Sequence, residues 1–464
     1  MTTHTPQSTD ETIARSIEQL RSELDGRLIM PDDPEYESAR IVMRGDVDDR
    51  PRAIARVANA TDVAHVIASA RATGLELAVR SGGHSGAGHS TTDTGIVIDL
   101  RDMKGLEVDR SGRTAWAETG LTAAEVTTAA WAECLTIGFG DTGSVGIGGI
   151  TLGGGVGYLA RKHGLTIDSL LAAELVTADG ELLTVDDESH PDLFWAIRGG
   201  GGNFGVATRF KYRLHEVDGF VGGILVTPAT ADTIAGFIRA ADEASDELST
   251  IANVMPCPPM PFVPEEHHGQ TVILAMLAHA GDVAAGERAM APFRALATPF
   301  ADLVKPMPYP EMYPPDDESY RPKAFDHTLF LDSVDRAAAQ TIVDQLNASD
   351  ASLRAVQLRV LGGAMARVPA DATAFAHRER RIMAVVVSFY EGADDLPRRK
   401  AWVEGLVASL DQGVAGAYVN FLRDEGEERI RAAYPAATWD RLAAVKHRYD
   451  PTNMFRLNQN IPPA

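Results

Sequence analysis

Twenty residues, Gly138 to Gly157, include ten glycines. So many glycines exclude a stable helix or an ordinary strand, because glycine loses more backbone freedom on folding than any other residue. The stretch also contains Val145, Ile147, Ile150 and Leu152, which a flexible polar linker would lack. We therefore expect an ordered, buried backbone that lets a bulky ligand approach closely.

The first glycines of this stretch, Gly138, Gly140 and Gly143, fit the dinucleotide fingerprint G-x-G-x-x-G. That fingerprint needs a strand before it and a helix that opens at the third glycine. Further glycines follow here, so an NAD-type Rossmann site is not favoured. The chain has no P-loop, G-x-S-x-G or H-E-x-x-H motif.

A second glycine-rich loop, RSGGHSGAGHS, runs from Arg80 to Ser90. A metal site is not favoured, because no further ligands cluster near His84 and His89 at a recognisable spacing. The loop is either a phosphate cradle or an attachment point, and the two roles are compatible. A neutral imidazole such as that of His84 is a good nucleophile, which suits the second role. The backbone N–H groups that can form an anion nest are those of Ser81, Gly82, Gly83 and Ser85.

Helices and strands alternate up to about residue 213. Thr61 is predicted to cap a helix that Gly74 ends, and strands are predicted at 75–79 and 95–100. The sequence LVTADGELLTV predicts a hairpin with its turn at Asp179-Gly180.

Longer strands follow residue 220, in ILVTP, QTVILAMLAHAG, LRAVQLRVLGG and RIMAVVVSFY. Amphipathic helices are predicted between them, around residues 230–246, 283–295 and 334–347, which indicates an antiparallel sheet with helices on one face. We expect residues 1–215 and 413–464 to form one domain and residues 216–412 a second, inserted one. The proline-rich segment 299–322, with Tyr309, Tyr313 and Tyr320, is either a rigid surface loop or a wall over a substrate cleft.

The 464 residues are 45% hydrophobic and carry a net charge of −22. The negative charge argues against nucleic acid or an anionic membrane as a partner, because both would repel it. The start, MTTHTPQSTDETIARS, is polar, so we expect no signal peptide and a cytoplasmic protein. Cys134 and Cys257 are expected to be buried free thiols.

Four motifs occur in order: R-S-G-G-H-S with GIVIDL, then TGSVGIGGITLGGGVGYLARKHGLTIDSL, then FWAIRGGGGNFGVAT, and finally YDPTNMFRLNQNIPP. In this order they resemble the berberine bridge enzyme-like FAD-linked oxidases of the vanillyl-alcohol oxidase/p-cresol methylhydroxylase superfamily. The resemblance covers nearly the whole chain. It implies an α+β class, with a two-domain FAD-binding fold of the vanillyl-alcohol oxidase type and a substrate domain of antiparallel sheet covered by helices.

The resemblance implies FAD linked covalently through His84, which stands at the histidine of the family's R-x-G-G-H motif. Many members bond the flavin also through a cysteine, but Thr142 stands at that position here, so a single link is predicted. Val145 stands where the family has a small residue that governs oxygen access, and valine there resembles the oxidases. The other residues expected to bind the cofactor are Arg80, Ser81, Gly82, Gly83, Ser85, Gly143, Ser144, Gly148, Gly149, Gly153, Gly154, Gly205, Val206, Asn420, Asn458 and Asn460.

Tyr418 and Asn420 match the family's Y-x-N motif, and as a strand the segment would point both side chains to one face. Tyr418 is the candidate base; a tyrosine ordinarily titrates near about 10, so this role needs a depressed pKa. The alternative is a buried tyrosine with one hydrogen bond. Gln357, the second catalytic candidate, shares with Arg359 a face that lines either the cavity or solvent.

The activity that the resemblance implies is hydride abstraction from a C–H bond of a small alcohol, phenol, amine or sugar-type substrate. Molecular oxygen is the expected acceptor and hydrogen peroxide the product. The alternatives are a flavin dehydrogenase with a non-oxygen acceptor and a non-catalytic flavin-binding relative. The expected partners are the substrate and oxygen, with no nucleic acid, membrane or metal.

Overall fold

The computed structural model describes residues 9–315, 317 and 319–464. The α-helices are Thr9–Glu23, Tyr36–Arg40, Ala60–Thr73, Ala123–Ala132, Ile147–Gly153, Ala160–His163, Pro191–Ile197, Ala231–Asp242, Val283–Arg294, Arg336–Ala348, Ala364–Arg367, Leu396–Leu410, Glu427–Ala433 and Ala436–Tyr449. Short 3₁₀ helices are Thr166–Ser169, Gly201–Asn203, Glu265–His267, Tyr309–Met312 and Val419–Phe421. The strands are Arg27–Ile29, Ala53–Arg56, Leu77–Arg80, Ile96–Asp99, Leu106–Asp109, Thr114–Glu118, Leu135–Thr136, Leu170–Val176, Leu182–Val185, Val206–Arg213, His215–Glu216, Phe220–Pro228, Leu248–Pro256, Thr271–Ala280, Ala301–Asp302, Lys305–Pro306, Ala324–Leu331, Arg354–Val360 and Ile382–Phe389.

A small four-stranded sheet carries the RSGGHSGAGHS loop at the end of its edge strand, Leu77–Arg80. Two of its three pairings are parallel, and helix Ala60–Thr73 packs its apolar face on one side. The cap of this helix is Asn59, whose side chain accepts the Asp62 N–H at 3.0 Å, so the prediction of Thr61 as the cap is wrong by two residues. Gly74 ends the helix with φ +70°, as predicted.

A five-stranded antiparallel sheet follows, in the order Leu106–Asp109, Thr114–Glu118, Val206–Arg213, Leu170–Val176 and Leu182–Val185. The predicted hairpin is confirmed, because the last two strands pair through a turn in which the Gly180 N–H donates to the Thr177 carbonyl at 3.0 Å.

The third sheet has eight strands and is antiparallel throughout. Helices cover one of its faces, and their apolar side chains share one core with it. The three predicted helices are confirmed, and Leu396–Leu410 is a fourth. The α+β class, with an antiparallel sheet covered by helices, is therefore confirmed, whereas the division into 1–215, 216–412 and 413–464 stays a prediction.

The glycine-rich stretch does contain a helix, Ile147–Gly153, contrary to the expectation that its glycines exclude one. The helix is short and held by tertiary contacts rather than by propensity. The Ile147 N–H donates to the Leu121 carbonyl at 2.9 Å, and the Thr151 hydroxyl contacts the Tyr212 hydroxyl at 2.8 Å. No helix opens at Gly143, in agreement with the expectation.

The last described segment docks tightly against the first half of the chain. The Lys446 ammonium is fully buried, pairs with Asp450 at 2.6 Å and also donates to the Asn203 and Phe455 carbonyls. The Asn203 side chain in turn accepts the Ile461 N–H at 2.9 Å. The tail is therefore ordered against the rest of the protein.

Two histidine rings stack near the junction between the glycine-rich half and the eight-stranded sheet. The His163 and His215 centroids are 3.9 Å apart, with 12° between the ring planes. Next to them, the Lys162 ammonium donates to the Ala280 carbonyl at the end of strand Thr271–Ala280 at 2.6 Å.

Three further expectations need correction or comment. Tyr309 and Tyr313 are buried, so the proline-rich segment is not a plain surface loop, although Tyr320 is exposed. Both cysteines are free thiols, but Cys134 is exposed and only Cys257 is buried. Residues 1–8, part of the polar start that led us to expect a cytoplasmic protein, lie outside the described residues. Among the residues described, no helix combines the length and apolar character needed to cross a bilayer.

Candidate functional site

The two glycine-rich segments meet backbone to backbone. A Cβ atom on Gly82 would lie 2.2 Å from the Gly146 nitrogen, and one on Gly146 would lie 2.1 Å from the Gly82 nitrogen. The Ser81 hydroxyl accepts the Gly148 N–H at 3.1 Å across the same contact. Side chains at Gly82 and Gly146 are therefore excluded by protein backbone, and the motif R-S-G-G-H is fixed in place against the stretch that contains Val145.

Arg80 anchors the base of the loop. Its guanidinium is fully buried and donates to the carbonyls of Ala39, Arg40 and Ser90, so these N–H groups hold protein backbone. Burial lowers the pKa of Arg80 to about 10, with nearby Asp99 acting in the opposite direction.

The loop itself closes through short-range contacts. The Ser85 hydroxyl accepts the His89 N–H at 3.2 Å, and Gly83 has a φ of +75°, which favours glycine. His84 is half-buried between them. Burial lowers the pKa of His89, so its ring is neutral near neutral pH.

Several glycines of the predicted set are required by neighbouring protein atoms. A Cβ would lie 1.9 Å from the Asn420 side chain at Gly153, 2.9 Å from Ser81 Cβ at Gly148 and 2.7 Å from Leu175 at Gly205. Next to Gly149, by contrast, a Cβ would meet no atom within 4 Å. We expected these glycines to make room for a ligand. At most of these positions glycine is required for a different physical reason, namely close packing of the protein on itself.

The remaining predicted positions also lie in this packed region. Thr142, Ser144 and Val145 are half-buried, Gly143 and Gly154 are buried, and Val206 lies in strand Val206–Arg213.

Polar atoms without a partner lie along the loop and the tail. The buried side-chain oxygens of Ser90, Thr91, Asn458 and Asn460 have no hydrogen-bond partner among the described residues. A buried polar group without a partner costs about 1–3 kcal/mol, so such a set is typical of a site that a polar ligand completes. Hydroxyl donors suit phosphate and amide acceptors suit N–H or O–H groups, and FAD carries all of these, so the residues fit the expected cofactor.

The Tyr418 oxygen accepts three hydrogen bonds. The donors are the Gly155 N–H at 3.0 Å, the Val156 N–H at 3.3 Å and the Asn420 side-chain amide at 3.0 Å. Tyr418 and Asn420 thus come together as expected, although the segment is not a strand, since Val419–Phe421 is a 3₁₀ turn. Burial raises the pKa of Tyr418 above its ordinary value; the three hydrogen bonds and the Arg359 charge lower it but do not offset the burial. The role of base calls for a depressed pKa, and the direction found here is the opposite.

A chain of side-chain hydrogen bonds runs along the inner face of the eight-stranded sheet. Gln357 donates to the Asn253 side chain at 2.9 Å and accepts from the Arg359 Nε at 2.8 Å. Arg359 then pairs with Asp141 of the glycine-rich stretch at 2.6 Å. Arg359 is buried, so this face lines the interior of the protein and not solvent.

Aromatic side chains form two clusters at the site, and the first of them surrounds Tyr418. The Phe375 and Phe421 rings stand edge-on to Tyr418, with centroids 5.9 and 5.0 Å from it. Tyr158, Tyr309 and Tyr313 form a second cluster, and the hydroxyls of the last two lie 3.0 Å apart. Burial raises the pKa of all three of these tyrosines, and the negative charge of Asp141 acts in the same direction as a smaller contribution.

Sequence reasoning missed Asp141, Asn253 and Phe375. The first had a readable signal, because it is an acidic residue between Gly140 and Thr142 in an otherwise uncharged stretch. The other two had none, because strand register and loop packing bring them to the site. Within the described ranges, no group of three or more His, Cys, Asp or Glu side chains is arranged to hold a metal ion.

Two family models match the chain. One, described as an FAD binding domain, matches residues 51–186, and another, described as berberine and berberine like, matches residues 417–462. The chain is 30% identical to an uncharacterized FAD-linked oxidoreductase of Bacillus subtilis, covering 96% of this chain and 98% of that protein. It is 31% identical to (R)-6-hydroxynicotine oxidase of Paenarthrobacter nicotinovorans, covering 95% and 97%.

Solved structures agree. The structure of 6-hydroxy-D-nicotine oxidase from Arthrobacter nicotinovorans superposes with a TM-score of 0.84 at 29% identity, over 95% of this chain and 98% of that one. BBE-like 1 of Physcomitrella patens superposes with a TM-score of 0.84 at 22% identity, over 99% and 100%. The second likeness concerns the fold alone.

Proposed function

Because the chain belongs to the berberine bridge enzyme-like FAD-linked oxidoreductases of the vanillyl-alcohol oxidase/p-cresol methylhydroxylase superfamily, we propose that it is an oxidase. It removes a hydride from a C–H bond of a small alcohol, phenol, amine or sugar-type substrate. Oxygen is the acceptor and hydrogen peroxide the second product. The similarity to a hydroxynicotine oxidase supports the oxidase assignment and an amine among these classes.

The cofactor is held between the RSGGHSGAGHS loop, the glycine-rich stretch and the tail. The unpaired buried oxygens of Ser90, Thr91, Asn458 and Asn460 support this placement. His84 makes a single covalent link, with Thr142 at the position of the second. Residues 1–215 and 413–464 form the cofactor domain, and residues 216–412 form the substrate domain.

One observation carries the proposal: three donors converge on the Tyr418 oxygen. A neutral hydroxyl has two acceptor lone pairs, whereas a phenolate accepts three hydrogen bonds readily. Hydrogen bonds to the charged form favour that form. The three hydrogen bonds support Tyr418 as the base, with a phenolate that forms at alkaline pH because burial raises the pKa of this tyrosine.

Tyr418 takes the O–H or N–H proton of the substrate while the C–H bond breaks, and Asn420 holds its oxygen in place. FAD supplies the two-electron acceptor for the hydride. The Phe375 and Phe421 rings keep water away from the Tyr418 oxygen, which strengthens the three hydrogen bonds. Gln357 lies on the face of the sheet that we assign to the substrate, and its side chain binds the substrate.

The covalent link is tested by acid precipitation. We expect yellow colour to stay with the precipitated protein and to be lost in His84→Ala but not in His89→Ala, the matched control in the same loop. Covalent flavin retained in His84→Ala would contradict the single link. Apparent Tm reports whether each variant is folded.

The base is tested by the pH dependence of flavin reduction by substrate. Because the pKa of Tyr418 is raised above its ordinary value of 10.0, the reactive phenolate gains population only as pH rises. We expect the rate to rise through the alkaline range and to fall about 10²–10⁴-fold in Tyr418→Phe, with loss of that pH dependence. An unchanged rate would remove Tyr418 as base. Peroxide released in air distinguishes the oxidase from a dehydrogenase.

A further inference from the structure

Asp141 and Arg359 join two parts of the chain that are far apart in sequence. Asp141 lies in the glycine-rich stretch and Arg359 in strand Arg354–Val360, and their side chains pair at 2.6 Å. The Arg359 side chain is 5% exposed and that of Asp141 21%. Breaking such a pair leaves an uncompensated charge in a desolvated place, so the pair has electrostatic consequences for its neighbours.

The backbone of Val156 connects Arg359 to Tyr418. Its carbonyl accepts from the Arg359 guanidinium at 3.4 Å, while its N–H donates to the Tyr418 oxygen at 3.3 Å. The guanidinium carbon also lies 5.1 Å from the Phe421 ring centroid, and that ring stands edge-on to Tyr418. The Arg359 cation is therefore linked to the candidate base through the Val156 backbone and the Phe421 ring.

Tyr418 belongs to an apolar cluster that also contains Val156, Leu361 and Phe375. Two other ionisable groups contact the Phe375 ring. His377 has its centroid 6.5 Å away and bonds to the Ala432 carbonyl, and Arg378 is paired bidentately with Asp168. The positive charge of Arg359 lowers the pKa of Tyr418, and Asp141 is the ion-pair partner of Arg359.

We propose that Asp141 is a positioning residue, which restrains the Arg359 guanidinium and offsets its charge, and thereby limits how strongly this cation stabilises the Tyr418 phenolate. Asp141 acts through Arg359 rather than by touching the substrate. The inference rests on the proposed function for its catalytic meaning, but the coupling among the three side chains is measurable without turnover.

The measurement is a pH titration of the holoenzyme with ¹³Cζ-labelled tyrosine. The Tyr418 resonance is identified as the one missing in Tyr418→Phe. Asp141→Asn keeps the shape of the side chain and an acceptor oxygen but removes the charge. We expect the pKa of Tyr418 to fall by about one unit in this variant and to rise by a similar amount in Arg359→Gln, because an unpaired cation favours a nearby anion.

The double variant shows whether Asp141 acts through Arg359. With Arg359→Gln already present, Asp141→Asn is expected to change the Tyr418 pKa no further. Asp246→Asn, which breaks the surface pair with Arg367 (also 2.6 Å), is the matched control and leaves the titration unchanged. Arg359→Lys keeps the positive charge, so we expect it to change the Tyr418 pKa by only a small fraction of the change seen in Arg359→Gln. This variant also serves as the test if Arg359→Gln does not fold.

Two outcomes would overturn the proposal: a titration in Asp141→Asn equal to that of Asp246→Asn, or an undiminished shift in the Arg359→Gln background. The failure of the proposed function looks different. If Tyr418→Phe keeps its rate of flavin reduction while Asp141→Asn still shifts the resonance, the coupling stands and Tyr418 is not the base.

Discussion

The two sides of the candidate site are built by different means. On the cofactor side, Gly82 and Gly146 touch through backbone atoms, and Arg80 is committed to three backbone carbonyls. On the side that we propose binds the substrate, called the substrate side below, Gln357 and Asn253 meet through side chains on neighbouring strands. The first side permits one residue type at each contact, whereas the second permits any pair of side chains that fits the register.

This difference explains which changes each side tolerates. Backbone contacts leave no room for a Cβ, so substitutions there act on folding and on cofactor attachment. Side-chain contacts are replaceable, so under the proposed function we expect substitutions on the sheet face to act on the choice of substrate. The predictions that follow test this contrast.

The largest effect is expected for Gly82→Ala. The new Cβ would lie 2.2 Å from the Gly146 nitrogen, and backbone atoms cannot move aside as a flexible side chain can. We expect a loss of about 3 kcal/mol or more in the free energy of unfolding and no covalently bound flavin. Thermal unfolding and colour after acid precipitation measure the two.

Gly86→Ala and Gly149→Ala are the matched controls, because a Cβ at either position meets no atom within 4 Å. Both should keep a near-normal apparent Tm. If Gly82→Ala behaved as they do, the contact between the two glycine-rich segments would not be rigid, and the contrast between the two sides would fail.

A smaller effect is expected where the two sides meet, at the stacked histidines. Burial, followed by neighbouring positive charge, lowers the pKa of His163 to about 3 and that of His215 to about 4. In the unfolded chain both histidines take up a proton near the ordinary pKa of 6.5. Above that pH they are neutral in both states, so the free energy of unfolding has its full value. It decreases as pH falls from 6.5 towards the folded values, by about 2–4 kcal/mol for the pair.

Apparent Tm measured across this pH window checks the prediction. The variant His163→Gln/His215→Gln should show a flatter dependence than the unmodified protein. An equal slope in both would mean that other groups dominate the acid response and that this junction is not specifically sensitive.

The smallest effect on stability is expected for Gln357→Leu. Loss of its amide removes one partner each from Asn253 and Arg359 in a half-buried place, which costs about 1–2 kcal/mol. The larger consequence should be a raised KM for substrate, with covalent flavin unchanged. Gln340→Leu, on an exposed helix surface, is the control. A loss of flavin in Gln357→Leu would show that the two sides are not independent.

Much of the fold could be predicted because periodic patterns mark its elements. Alternating long strands and amphipathic helices after residue 220 gave the antiparallel sheet, and Asp179-Gly180 gave the hairpin. The helix Ile147–Gly153 could not be predicted, because contacts with Leu121 and Tyr212 override the low helix propensity of glycine.

The candidate site divides in the same way. His84, Tyr418 and Asn420 stand in motifs whose local geometry recurs, so their neighbourhood is readable from the sequence. Asn253 and Gln357 are 104 residues apart and meet only because their strands pair in one register. No local pattern encodes that register, so the substrate side stays hidden until the strands are paired.

The Asn203 side chain also has a consequence for the order of events during synthesis. It accepts the Ile461 N–H and donates to the Gln459 carbonyl, 258 and 256 residues later. The ribosome therefore releases every strand of the eight-stranded sheet before Asn203 finds its partners. Until then the Asn203 amide lacks its partners at Gln459 and Ile461, so the first half of the chain cannot complete its native contacts before this late segment has been made.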